Sequence, residues 1–167
     1  MGGLLNDLKS FGRREDEIGE VCQLSASMEM ALRIVRAEVR GAVDIERVYQ
    51  TAPPVTGSAL RLTQVFVNLL LNALEAMRGD AAGRIRVGVR PVGDGVEAWV
   101  SDNGVGISAE TRGKLFEPLH STKLSGGGLG LYVCKQIVES RGGRIEYSPN
   151  PEGGSVFRVR LPVAEEA

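Results

Sequence analysis

At 167 residues, the chain has room for one domain and a short extension. Its 43% hydrophobic and 25% charged residues are the balance of a globular protein, and a net charge of −1 offers no basic face to nucleic acid. The apolar run at residues 65–71 is broken by Asn68 and is far too short for a membrane span, and the single histidine, His120, excludes multi-histidine metal sites. Cys22 and Cys134 lack metal-ligand spacing and read as reduced thiols, and no signal peptide opens the chain, so the expected location is cytoplasmic.

Residues 4–14 place Leu4, Leu5, Leu8 and Phe11 on one helical stripe. So short a stripe reads as the tail of a longer helix, and residues 1–20 are taken as that tail plus a linker, with the domain at 21–167. Residues 21–24 read as a short strand. Ser25 or Ser27 then caps a helix whose Met28, Ala31, Leu32, Val35 and Val39 share a face. Residues 43–49 alternate as a strand that Pro53-Pro54 ends. Residues 60–77 form the strongest helix, with Phe66, Leu70, Ala73 and Met77 on one face and Val65, Leu69 and Ala76 on the next. Gln64, Asn68 and Asn72, four apart with Glu75 beside them, interrupt that apolar surface. They are either a solvated stripe or carboxamides placed to enter the oxygen shell of Mg²⁺ beside phosphates.

Ile85, Val87 and Val89 alternate with Arg84, Arg86, Gly88 and Arg90, so that strand has one wet face; Asp94-Gly95 turns it into a second strand through Val96, Ala98 and Val100. Ser108 caps a helix at residues 109–116, stopped by Pro118. Residues 129–140 are helical, with Val133, Cys134, Ile137 and Val138 toward a core, and Gly142-Gly143 ends the helix. Residues 145–147 and 156–161 make a final hairpin across 150–154. Asn103-Gly104 alone would be an ordinary turn and residues 125–128 a linker. Together, with a helix opening at Leu129, they point to phosphate binding at backbone amides.

The order of these pieces resembles the ATP-binding catalytic domain of sensor histidine kinases, whose superfamily also holds gyrase, a class of heat-shock chaperones, MutL and anti-sigma-factor kinases. Residues 64–77 look like the N box, Asp102-Asn-Gly-Val-Gly-Ile107 the first glycine box, residues 115–123 the F box, and Gly126-Gly-Gly-Leu-Gly-Leu131 the second glycine box. No Lys-Ser/Thr follows the last box, so it is not a Walker loop. The resemblance covers about residues 21–163. It implies a Bergerat-type α/β two-layer sandwich: a mixed, mostly antiparallel sheet with helices on one face. It further implies ATP and Mg²⁺ as cofactors and transfer of the γ-phosphoryl group to a histidine.

By the same resemblance, Asn72 would hold the metal, with Asn68 supporting metal or phosphates. Asp102 would accept from the adenine amino group. Gly104 and Gly106 would leave room for the base and Ile107 would pack on it. Gly126, Gly128, Leu129, Gly130 and Leu131 would wrap the triphosphate, Lys123 would pair with it, and Ser155 would reach the base side through water. Residues 117–127 are expected to be a lid that orders over the nucleotide. Glu75 stands where relatives carry a cation, and His120 where an aromatic residue is common. No histidine occurs in the N-terminal helix, so the phosphoacceptor helices are expected to be separate. The implied partners are ATP or ADP, the histidine-bearing dimerisation helices of the same kinase and a response regulator, without nucleic acid or membrane; the isolated domain is expected to be monomeric. Alternatives are an ATPase or serine kinase of the superfamily, or a nucleotide-sensing docking module without catalysis. The first usually has a glutamate base where this chain has Asn68.

Overall fold

The computed structural model describes residues 20–39, 43–77, 83–118 and 130–164. In chain order these form β1 (Val21–Cys22), α1 (Leu24–Val35), a 3₁₀ turn (Arg36–Glu38), β2 (Val43–Tyr49), β3 (Val55–Thr56), α2 (Ala59–Ala76), β4 (Gly83–Val92), β5 (Gly95–Asp102), α3 (Ala109–Arg112), α4 (Gly130–Glu139), β6 (Arg144–Pro149) and β7 (Ser155–Pro162). The expected stripe at residues 4–14 and most of the expected lid, including His120 and Lys123, lie outside the described residues.

The main sheet has the order β2-β4-β5-β7-β6. β2 runs parallel to β4, and every other pair in it is antiparallel. Period-two alternation decides which face is covered. Ile85, Val87 and Val89, then Val96, Ala98 and Val100, then Phe157, Val159 and Leu161 are buried in one core with the helices. The opposite face carries arginines and Trp99. There Gly88 lies opposite Trp99, and a Cβ at Gly88 would overlap the indole ring. Glycine at position 88 is therefore a packing requirement.

α2 sits against α1, α4 and β5. Val65, Phe66, Leu69 and Leu70 are at most 1% exposed, each contributing about 1.5–3 kcal/mol by its burial. The helix starts where Ser58 Oγ accepts from Arg61 N at 3.1 Å. On the far side of the layer, Glu29 of α1 accepts from Arg47 Nε of β2 at 2.8 Å and from the Tyr49 hydroxyl. Burial works to raise the Glu29 pKa, but the bonds from Arg47 and Tyr49 outweigh it and leave the carboxyl below its usual value. The result is a two-layer α/β sandwich with helices on one face of a mixed, mostly antiparallel sheet, as the resemblance implied.

Several local expectations needed correction, among them Val39, which is extended beyond the 3₁₀ turn and not on α1. α1 starts earlier than the serines indicate: its N-cap is Gln23, with no side-chain cap, because Leu24 is drawn into the core, and Ser27 is buried inside the helix. The opening strand is accordingly only Val21–Cys22. It pairs antiparallel with β3, a two-residue strand with no periodic signal. The β4–β5 turn is Gly93-Asp94, with Gly93 at φ +58°, while Gly95 already pairs with Val92. Ser108 does cap α3, accepting from Thr111 N at 3.3 Å, yet the helix ends at Arg112 and continues only as turns.

Candidate functional site

Asp102 ends β5, and the β5–β7 ladder stops one residue earlier, at Ser101↔Val156. The residue is nonetheless only 4% exposed. Oδ1 accepts from Gly104 N at 2.8 Å, and the backbone N–H of Ser155 also reaches the carboxyl. Burial pushes the Asp102 pKa upward, against the two N–H groups that favour the ionised form. Asn103 is used structurally: Oδ1 accepts from Arg84 N at 2.8 Å, closing the end of β4.

The first glycine box is pressed onto the end of α2. A Cβ on Gly104 would sit 2.5 Å from the Ala76 carbonyl oxygen, and Val105 N donates to that oxygen at 3.2 Å. Gly106 takes φ +75°, and Ile107 packs against the core. From the opposite side, Gly154 lies flat on Asp102 at φ +102°. A Cβ there would overlap the Asp102 carbonyl oxygen and come within 2.8 Å of Oδ1. Asn150 Nδ2 donates to Asp102 O and to Ser101 Oγ, both at 3.1 Å. Ser155 opens β7 directly after Gly154 and is only 3% exposed.

The second end of the site lies along α2. Gln64, Asn68, Asn72 and Glu75 are all half-buried. Asn68 Nδ2 donates to Gly130 O at 3.4 Å and to Cys134 Sγ at 3.6 Å. Anchoring the amide nitrogen on α4 turns Oδ1 the other way. Burial pushes the Cys134 thiol up to about 12, so it stays protonated and can donate to Val65 O at 3.7 Å. The N box and the end of the second glycine box, at Gly130, are thereby joined. Asn68 lies eight residues before Ala76, about 12 Å along the helix axis, so the two ends can serve one elongated ligand.

Among the described residues no group of three His, Cys, Asp or Glu side chains could hold a metal. A cation here would need oxygens from the carboxamides and from its ligand. Lys123, Gly126, Gly128 and Leu129 fall outside the described residues. Sequence reasoning did not single out Asn150 or Gly154 for the site. Their only signal was a Gly-Gly pair placed just before the strand that faces Asp102.

A family model described as histidine kinase-, DNA gyrase B- and HSP90-like ATPase matches residues 57–165. The chain belongs to this family. Its relatives are sensor histidine kinases, and the domain is their ATP-binding catalytic domain. The C4-dicarboxylate transport sensor protein DctB of Rhizobium meliloti is 36% identical over 98% of this chain and 27% of its own length. The sensor protein FixL of Bradyrhizobium diazoefficiens is 32% identical over 99% of this chain and 33% of its own length. The chain thus spans about a quarter to a third of these relatives. Among solved structures, the catalytic domain of histidine kinase ThkA superposes with a TM-score of 0.77 at 28% identity, covering 86% of this chain and 94% of that one.

Proposed function

We propose that this domain binds ATP with Mg²⁺ and donates the γ-phosphoryl group to a histidine on the dimerisation helices of its own kinase, which then passes it to a response regulator. The bond from the γ-phosphorus to the bridging oxygen of ADP breaks, and a bond from that phosphorus to an imidazole nitrogen forms. The observation that carries the reading is the pairing of a buried, backbone-held carboxylate at Asp102 with an anchored carboxamide at Asn68 on the same α2 frame. An ionised acceptor at Asp102 favours adenine, whose amino group donates, over guanine, which presents a carbonyl at that edge.

Asn68 and Asn72 fit a hard cation. Their neutral oxygens suit the shell that Mg²⁺ otherwise fills with water and phosphate oxygens, and the tether of the Asn68 nitrogen on α4 leaves its oxygen end for that purpose. Bound there, the ion would neutralise charge on the phosphates. Gly106 is assigned to the base beside Ile107, and Gly104 lets the box close onto the end of α2. Gly126, Gly128, Leu129, Gly130 and Leu131 are assigned to the phosphates, with Lys123 as their counter-charge. Residues 117–127 are assigned the role of a lid. Position 68 offers no proton acceptor, which disfavours direct activation of water or serine. Among the described residues no helix is long and apolar enough to cross a membrane. A cytoplasmic setting, where ATP is supplied, completes the proposal.

Mixing the domain with a histidine-bearing helix pair and γ-labelled ATP tests it. The expected product is an acid-labile, alkali-stable label on the helix pair that requires Mg²⁺. Release of labelled phosphate to water at the same rate with or without the helix pair would instead mark an ATPase. Nucleotide binding with neither product would mark a docking module.

A further inference from the structure

We infer that Asn150 is a positioning residue for base selection: through its side chain, the β6–β7 hairpin holds Asp102 in register for the purine. The inference rests on the reading of Asp102 as acceptor for the base amino group. Its physical origin is the end of a ladder. The β5–β7 pairing stops at Ser101↔Val156, which leaves the Asp102 carbonyl in a buried place without the next rung of strand pairing. A buried carbonyl without a partner is costly. The Asn150 amide supplies the missing donor, with Nδ2 at 3.1 Å from Asp102 O and from Ser101 Oγ.

The same side chain also shapes the hairpin it belongs to. Asn150 Oδ1 accepts from Glu152 N at 3.2 Å, an Asx turn; its carbonyl accepts from Gly153 N at 2.9 Å, and its own N–H donates to Gly154 O at 3.0 Å. Gly153 and Gly154 follow at φ +100° and +102°, conformations that fit glycine. This path lays Gly154 on Asp102 and delivers the Ser155 N–H to the carboxyl. One carboxamide thus folds the loop with its oxygen and ties the loop to β5 with its nitrogen. Asp102 is then held at both ends: Gly104 N donates to its carboxylate, and Asn150 Nδ2 donates to its backbone carbonyl. A carboxylate held this tightly discriminates between bases by hydrogen-bond direction, since it cannot swing to make a poorer bond elsewhere.

Two substitutions separate positioning from mere folding. Asn150→Asp keeps an acceptor for Glu152 N but turns a second acceptor toward Asp102 O. Asn150→Ser keeps a shorter acceptor that cannot reach β5, and it carries the test where the aspartate variant folds poorly. Calorimetry with ADP and with inosine diphosphate, whose base lacks the amino group, reads the outcome at fixed Mg²⁺. Either folded variant is expected to weaken ADP by about tenfold while changing inosine diphosphate by less than about twofold, so that discrimination collapses. Equal losses for both nucleotides would reduce Asn150 to a structural loop residue and overturn the inference. Unchanged affinity for both would do the same. The underlying reading has its own control: Asp102→Asn must also erase the ADP preference of the unsubstituted protein. If the unsubstituted protein shows no preference, the reading of Asp102 falls and the role of Asn150 falls with it.

Discussion

The two ends of the site are built by different means. The end at Asp102 is held by backbone: Gly104 N and the close approach of Gly154 define where the carboxyl sits. The other end is a row of half-buried carboxamides on α2, positioned by side-chain contacts such as Asn68 to Gly130 O and Cys134 Sγ. Backbone-built geometry fails when a glycine is filled or when a side chain that ties the backbone, such as Asn150, is replaced; side-chain-built geometry responds to the carboxamides themselves. Under the proposed reading, base selectivity would rest on the first kind of geometry and metal and phosphate binding on the second.

The largest effect should come from breaking the backbone end. Gly154→Ala places a methyl group against the Asp102 carbonyl at a φ that alanine resists. A stability loss of about 2–4 kcal/mol is expected, together with loss of ADP binding. Denaturant titration beside Asn68→Ala, expected to cost about 1 kcal/mol or less, measures the contrast. Comparable losses for the two variants would erase the distinction between the ends.

Next in size is the charge on Asp102. Asp102→Asn should weaken ADP by about 1–3 kcal/mol, the scale of a charged hydrogen bond lost. The raised pKa adds a pH signature. The folded protein holds this proton more tightly than the unfolded chain, whose value is near 3.8. The stability this group contributes is therefore fully present below 3.8 and is lost as pH rises through the folded value. Wild type should gain stability on the Asn variant as pH falls through that window, while its ADP affinity declines because the acceptor loses its charge. Thermal melts and calorimetry on both proteins across the acid range check the two opposite trends. A shared, parallel pH response would mean that some other carboxyl is titrating.

The smallest structural effect belongs to the carboxamide end. Asn72→Ala should leave stability within about 0.5 kcal/mol, since alanine is the better helix former and the side chain is only half-buried. Nucleotide binding should lose most of its Mg²⁺ dependence. If affinity drops by the same factor with and without Mg²⁺, the carboxamides touch the nucleotide and not the metal.

Much was legible in the chain itself because it rests on local rules. The apolar faces of α2 mark a buried helix, and the alternation through Ile85, Val87 and Val89 marks a sheet covered on one side. The spacing of Asp102, Gly104 and Gly106 was recognisable as a motif, and the backbone there is tightly constrained, with Gly104 against Ala76 and Gly106 at φ +75°. What the chain alone left open was decided by contacts between distant segments. The α1 start moved to Leu24 because core burial outweighed the capping preference of serine. β3 exists because Val55 and Thr56 meet Cys22 and Val21, a pairing that two residues cannot announce. The parallel pairing of β2 with β4 likewise comes from assembly, not from either strand's pattern. Gly88 is needed by Trp99 on the next strand, and Asn150 by a carbonyl 48 residues earlier. Short-range periodicity specifies elements and motif chemistry; only the packed sheet determines which backbone groups are left at a strand end, and which side chain must satisfy them.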